Sequence, residues 1–351
     1  GRTAMETNTT GTANVAVGKD ALLANTTASN NTAVGFDALT ANTIGASNVA
    51  VGKGALDANT TASSSVAVGD GALGANTVGS YSVAIGFSAL AAQNPASASA
   101  SFNTAVGTEA GTAVTTGTQN TLIGGLAGDA ITTASNNTAV GYASLSTNIT
   151  GTANTAVGKD ALLVNTASSN TAVGMDALTA NTTGDTNTAV GKDSMKATTT
   201  GTNNSAFGAR SLDTNTTGTN NVAVGDQALG ANTSGNSNTA VGVGALDANT
   251  TADNNVAVGL NSLGANTTGT QNVAVGIQTL LTNTSGAQNT ALGTNALLAN
   301  TSATGNTAVG AQALVADTTG YGNTAVGSLS GDAITTGINN TTVGRASLTT
   351  C

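Results

Sequence analysis

A repeat of 17 residues runs through the whole chain and leaves few folds open to it. The glycine closing each Ala-Val-Gly-like triplet recurs at Gly18, Gly35, Gly52 and onward to Gly344, and its step departs from 17 only twice. The step is 21 from Gly86 to Gly107, across the sole proline, Pro95, and 16 from Gly158 to Gly174. Stepping back from Gly18 lands on Gly1, which makes 21 registers. With the motif glycine as position 0, the consensus is Asn-(Thr/Val)-Ala-Val-Gly-x-x-Ala-Leu-x-Ala-Asn-Thr-Thr-Gly-x-x.

Seventeen residues are too few for the helix pairs of ankyrin-type arrays, and Gly, Thr and Asn are poor helix formers. Fully extended, they span at most ~56 Å, enough for one narrow turn with two short strands and two corners. The short β-branched run before each glycine reads as a strand. The expected fold is therefore all-β, a parallel β-solenoid or β-roll of about twenty-one 17-residue coils. At ~4.8 Å per coil that makes a rod of about 100 Å. Residues 1–351 form one continuous array, with 90–103, containing Pro95, as a corner insertion. Neither end shows a capping repeat, so the array is expected to be a window on a longer chain or the visible part of a fibre.

Position −1 is large and apolar in all twenty complete copies, which places Val17, Val34, Val51, Ile85, Phe207 and Val224 in the expected core. Leu22, Leu39, Leu56 and Leu229 join them from position +4. Strand alternation puts Val15 and Val17 on one face and Asn14 and Ala16 on the other. The opposite face carries a lengthwise row of Ala16, Ala33, Ala50, Ala67 and Ala84. Small side chains let flat backbones approach, so this row is expected at a subunit interface; the alternative is that it fills a narrow coil interior. At position −4, Asn14, Asn31, Asn48, Asn103, Asn120 and Asn221 are expected to form a stacked amide ladder. Asn25, Asn42 and Asn59, at +7, are expected to mark turns. Three copies place Gly111, Gly128 or Gly331 at +4, and there the +7 residue becomes Val114, Ile131 or Ile334. The apolar group moves rather than disappears, as a packed coil requires.

Composition narrows function. The chain has 8 Lys and Arg, 17 Asp and Glu, no His, one Cys and seven aromatics. Without imidazole there is no His-based acid–base chemistry or metal site. One cysteine, Cys351, makes no disulfide framework; it is expected to be a free thiol, with crosslinking of chains as the alternative. The net charge of −9 disfavours nucleic acid, whose binding draws on Lys and Arg clusters. No apolar run approaches the ~20 residues that span a bilayer, so this segment is expected not to insert. Lys19-Asp20, Lys159-Asp160, Asp37, Asp57, Asp70 and Asp247 read as solvated corner charges. No metal, cofactor or catalytic residue is assigned, and the chain is expected not to be an enzyme. The Thr-Thr pairs (Thr26-Thr27, Thr60-Thr61, Thr267-Thr268) suggest an ice-binding alternative, weakened because adjacent residues point to opposite sides of a strand.

The run Ser82-Val83-Ala84-Ile85-Gly86-Phe87-Ser88-Ala89 and the many Asn-(Thr/Val)-Ala-Val-Gly copies resemble the head repeats of YadA-like trimeric autotransporter adhesins and related repeats of bacteriophage tail fibres. That resemblance implies a left-handed parallel β-roll whose three chains pack side by side. The period of 17 departs from the shorter period common in those heads, and neck, stalk and anchor are not matched. Physical reasoning also favours association: a few apolar side chains per coil, at about 1.5–3 kcal/mol each, face the ordering of 17 residues at roughly 1–2 kcal/mol each. The expected function is a structural and adhesive fibre segment, homotrimeric, extracellular on a bacterial surface or a virion, with a cell-surface glycan or matrix receptor as a possible partner. The alternative is a monomeric or filament-forming solenoid such as an ice binder; a polysaccharide hydrolase ranks third.

Overall fold

A computed structural model describes residues 1–348 and contains two compact units, one from Gly1 to Met175 and the other from Asp176 onward. Cys351, and with it the choice between a free and a crosslinking thiol, lies outside the described residues. Each unit contains ten three-residue strands, positions −3 to −1 of successive motifs. They run from Val15–Val17 to Thr171–Val173 in the first unit and from Thr188–Val190 to Thr341–Val343 in the second. The register at Gly1 contributes a turn and no strand, so twenty strands stand where 21 registers were counted.

Within each unit the strands pair in parallel one coil apart, Val15 with Thr32, Ala16 with Ala33, Val17 with Val34. The fold is a parallel β-solenoid. The 16-residue step does not disturb the ladder, since Ala156 still faces Ala172. The missing residue comes from the corner after Asn165, whose Nδ2 reaches Ala167 O two residues on rather than the usual three. The four extra residues near Pro95 likewise leave Ala84 opposite Ala105. Ala96, Ser97 and Ala98 stand exposed, and Gly79–Ser80 gains a short parallel pairing with Ser99–Ala100.

The motif glycine is required by geometry. Gly18 and Gly35 have φ of 138° and 145°, a region L side chains rarely adopt. A Cβ on Gly18 would lie 2.2 Å from the carbonyl oxygen of Gly35 in the next coil. The chain turns through further left-handed residues at −5, +2 and +4, among them Asn30 (φ 62°), Asp20 (φ 56°) and Leu22 (φ 53°).

The interior reverses one expectation. Val17, Val51, Ile85, Phe207 and Val224 are 36–57% exposed and Val34 is half-buried, whereas Ala33, Ala50, Ala67 and Ala84 are fully buried and Ala16 is half-buried. The predicted pairing of residues on faces is right, but the faces are exchanged: Asn and Ala point into the coil, Val and Thr point out. Leu22, Leu39, Leu56 and Leu229 are buried as expected. The reason is volume. A narrow coil filled by one Leu per turn leaves room opposite it only for Ala. Where +4 is Gly, the facing −2 position enlarges: a Cβ on Gly111 would lie 2.6 Å from Leu122 Cδ1, and one on Gly128 2.7 Å from Leu122 Cδ2.

Candidate interaction surfaces

The amides belong to the interior. Asn31 N–H donates to Asn14 Oδ1 and Asn48 N–H to Asn31 Oδ1, both at 2.9 Å. Asn120 N–H donates to Asn103 Oδ1 and Asn221 N–H to Asn204 Oδ1 in the same way. Asn25, Asn42 and Asn59, expected at turns, form a second buried row: Asn42 Nδ2 donates to Asn25 Oδ1 at 3.1 Å, and Asn59 Nδ2 to Asn42 Oδ1 at 2.8 Å. The two rows meet on one acceptor. Gly45 O receives Asn31 Nδ2 at 2.9 Å and Asn42 Nδ2 at 3.0 Å, and Ala62 O receives Asn48 and Asn59 likewise. Where Asn stands at both positions, as in these coils, the carbonyl at +10 turns inward and receives two amide donors, as a buried polar group requires. Most of the interior amides are thus engaged by the coil itself.

Asp317 is the one acid in the second row, and it is fully buried. A carboxylate cannot donate to the inward carbonyl, so its oxygens accept instead, from Gly320 N–H at 2.8 Å and Asn323 Nδ2 at 3.3 Å. Burial pushes its carboxyl up to about 6. The disturbance reaches the preceding coil, where Asn300 Oδ1 accepts Ala303 N–H and Asn300 Nδ2 finds no partner.

Outside, the strands present two ranks, Val, Thr or Ser at −3 and Val, Ile, Phe or Leu at −1, with no charged residue at either position in any copy. Val15, Val17, Ile123, Leu292 and Val343 are among those exposed. Ten strands at ~4.8 Å spacing make this face roughly 50 Å long in each unit. The −1 rank is apolar in every copy, and the −3 rank mixes Val with Thr and Ser.

Charge is confined to a different edge. All charged residues except Asp185, Asp253 and Asp317 occupy +1, +2 or +5. Many pair there: Lys19 with Asp20, Lys159 with Asp160, Lys196 with Asp176 and Asp193, Arg210 with Asp226. The hydrogen bond from Lys196 holds the Asp193 carboxyl below the usual range. At +5, partial burial pushes Asp57, Asp213 and Asp247 up. Two shallow grooves open here, one of about 190 Å³ between Arg210, Asp213 and Asp247, the other of about 400 Å³ between Asp37, Lys53, Asp57 and Asp70. Among the described residues no group of three or more His, Cys, Asp or Glu converges as a metal site. No helix among them is long and apolar enough to cross a membrane.

The Thr-Thr pairs divide as alternation requires. Thr27, Thr61 and Thr268 are exposed, while their predecessors spend their hydroxyls on the next coil. Thr26 Oγ1 donates to Thr43 O, Thr60 Oγ1 to Thr77 O and Thr267 Oγ1 to Thr284 O. The aromatics were not singled out by the repeat pattern, apart from Phe207 and its expected core role. All seven are 43–55% exposed, and Tyr81 and Phe102 stack on each other. The signal available in the sequence is that six of the seven fall outside the motif's apolar positions.

No family model and no curated protein sequence matches the chain.

Proposed function

We propose that this chain is a non-enzymatic structural and adhesive fibre segment, displayed outside a bacterial cell or on a virion, in which three copies pack side by side. The observation that carries the reading is the uncharged outer sheet face, repeated on every strand and left open by the single chain. The side-by-side contact runs through the Val and Thr ranks rather than through the Ala row, which the coil itself consumes. The head-repeat resemblance supports the same arrangement. Backbone ladders and two interior amide rows supply stiffness, repetition supplies reach, and a cell-surface glycan or matrix component is the partner.

The test is solution mass and shape, by light scattering with small-angle X-ray scattering. A mass near three times the 33.3 kDa chain supports the reading; a monomeric particle overturns it. Val51→Asp with Val224→Asp, one change on each unit's outer face, is expected to lower the mass to one chain while strand content by circular dichroism persists. An ice-binding solenoid is the second reading, since the outer face is flat and regular; thermal hysteresis by the monomer is its signature.

A further inference from the structure

Every aromatic side chain lies outside the coil interior, so folding into coils calls for none of them. Two occupy position −5 on consecutive coils, Tyr81 and Phe102, with ring centroids 5.5 Å apart and planes inclined by 19°. Their backbones are left-handed, at φ 63° and 51°, a conformation in which Asn, Ser or Gly is far commoner than a bulky residue. Other coils obey that preference with Asn30, Ser47, Ser64, Asn136 and Asn203. Two aromatics therefore stand where both backbone and solvent favour a small polar side chain. Their mutual stacking contributes only about 0.5–1.5 kcal/mol, little return for two half-exposed rings.

The surroundings are as particular as the rings. The pair spans the coil that carries the four extra residues, and the pairing of Gly79–Ser80 with Ser99–Ala100 anchors that insertion immediately beside both rings in sequence. Exposed Ser97 and Ser99 lie on the insertion, and Ser64 and Gln119 hold position −5 on the coils before and after. No charged residue occurs between Asp70 and Glu109. The Tyr81 phenol makes no hydrogen bond to any described residue.

We propose that the Tyr81–Phe102 pair and the adjoining insertion form a docking platform for a neutral saccharide. The axial C–H groups of a pyranose pack against an aromatic face, and its hydroxyls exchange hydrogen bonds with side-chain hydroxyls and amides of the kind found here. The lack of charge selects neutral sugars over uronic or sialic acids. This assignment deepens the adhesive reading above and rests on it.

The experiment uses the whole chain against a printed array of neutral oligosaccharides, β-linked glucose and N-acetylglucosamine, α-linked glucose and mannose, with hits measured by saturation-transfer NMR. At least one class is expected to bind, and Tyr81→Ser with Phe102→Asn to weaken it at least about tenfold with particle mass unchanged. Those replacements occupy the same position in other coils, so the variant is expected to fold. Tyr321→Ser, which removes an isolated exposed ring, is expected to leave binding intact. The proposal is overturned if no neutral oligosaccharide binds at millimolar concentration, if the double variant binds like the parent, or if it changes the mass, which makes the pair a subunit contact. A monomeric mass with binding retained rejects the trimer and keeps the platform; a trimer without binding does the reverse.

Discussion

The coils between Gly107 and Gly141 and those between Gly208 and Gly259 solve one packing problem in two ways. In the second set, Leu212, Leu229 and Leu246 fill the interior from +4, Asn215, Asn232 and Asn249 stack at +7, and Ala223 and Ala240 face them. In the first, Gly111 and Gly128 vacate +4, Val114 and Ile131 fill from +7, and Leu122 takes the place of Ala at −2. The exchange relieves a strained left-handed Leu, which costs about 1–2 kcal/mol relative to a right-handed conformation. It also breaks the second amide row, so Gly117 O and Ala134 O each receive one asparagine, Asn103 and Asn120 respectively, instead of two. The coil thus conserves filled volume before it conserves hydrogen-bond count.

The sharpest way to break this comparison is Leu229→Gly alone, which creates the vacancy without its filler and is expected to destabilise by about 3–5 kcal/mol in urea titration. Adding Asn232→Val should recover about half of that loss; a double variant no better than the single one would show that the two positions do not compensate.

Asp317 probes the amide solution from the other side. Its folded-state carboxyl lies near 6 against an unfolded value of 3.8, so the folded state binds the proton more tightly. Its contribution to stability is therefore greatest below pH 3.8, declines as pH rises to about 6 and is flat above. The loss by pH 7 amounts to about 3 kcal/mol. Asp317→Asn, which restores a donor for Gly320 O, is expected to raise the pH 7 melting temperature and to flatten stability across pH 4–6. An unchanged pH profile would place that titration elsewhere.

The smallest effect concerns the outer threonine row. Thr216→Val removes one hydroxyl bond to Thr233 O and is expected to cost about 0.5–1.5 kcal/mol by chemical denaturation, in contrast to the much larger penalty for emptying +4.

Much of this fold is legible in the repeat. The period sets coil length, the invariant glycine marks the corner where no Cβ fits, and the Leu row reads as core because nothing else at +4 is comparably regular. The sidedness of the strand is where sequence and structure part: Val, as the larger hydrophobe, is expected inside and stands outside. The correcting signal was present: Leu122 falls between the copies that carry Gly111 and Gly128, and Thr342 follows Gly331. Positions that trade volume face each other across the coil, so −2 must look inward. The role of Asn25, Asn42 and Asn59 was not legible in the same way, because a turn and a buried ladder ask for the same residue.

Coil length, the one-coil offset of the ladders and the sharing of a face by Asn and Ala all follow from the repeat alone. Which face closes inward is set by the closed coil. Alternation along a strand is symmetric between its two sides, and the choice rests on two properties of the closed coil: a width that admits one Leu against one Ala, and an inward carbonyl at +10 that needs an interior amide as donor. With Asn and Ala drawn inside to meet those demands, the Val and Thr ranks are left to face whatever lies beyond the chain.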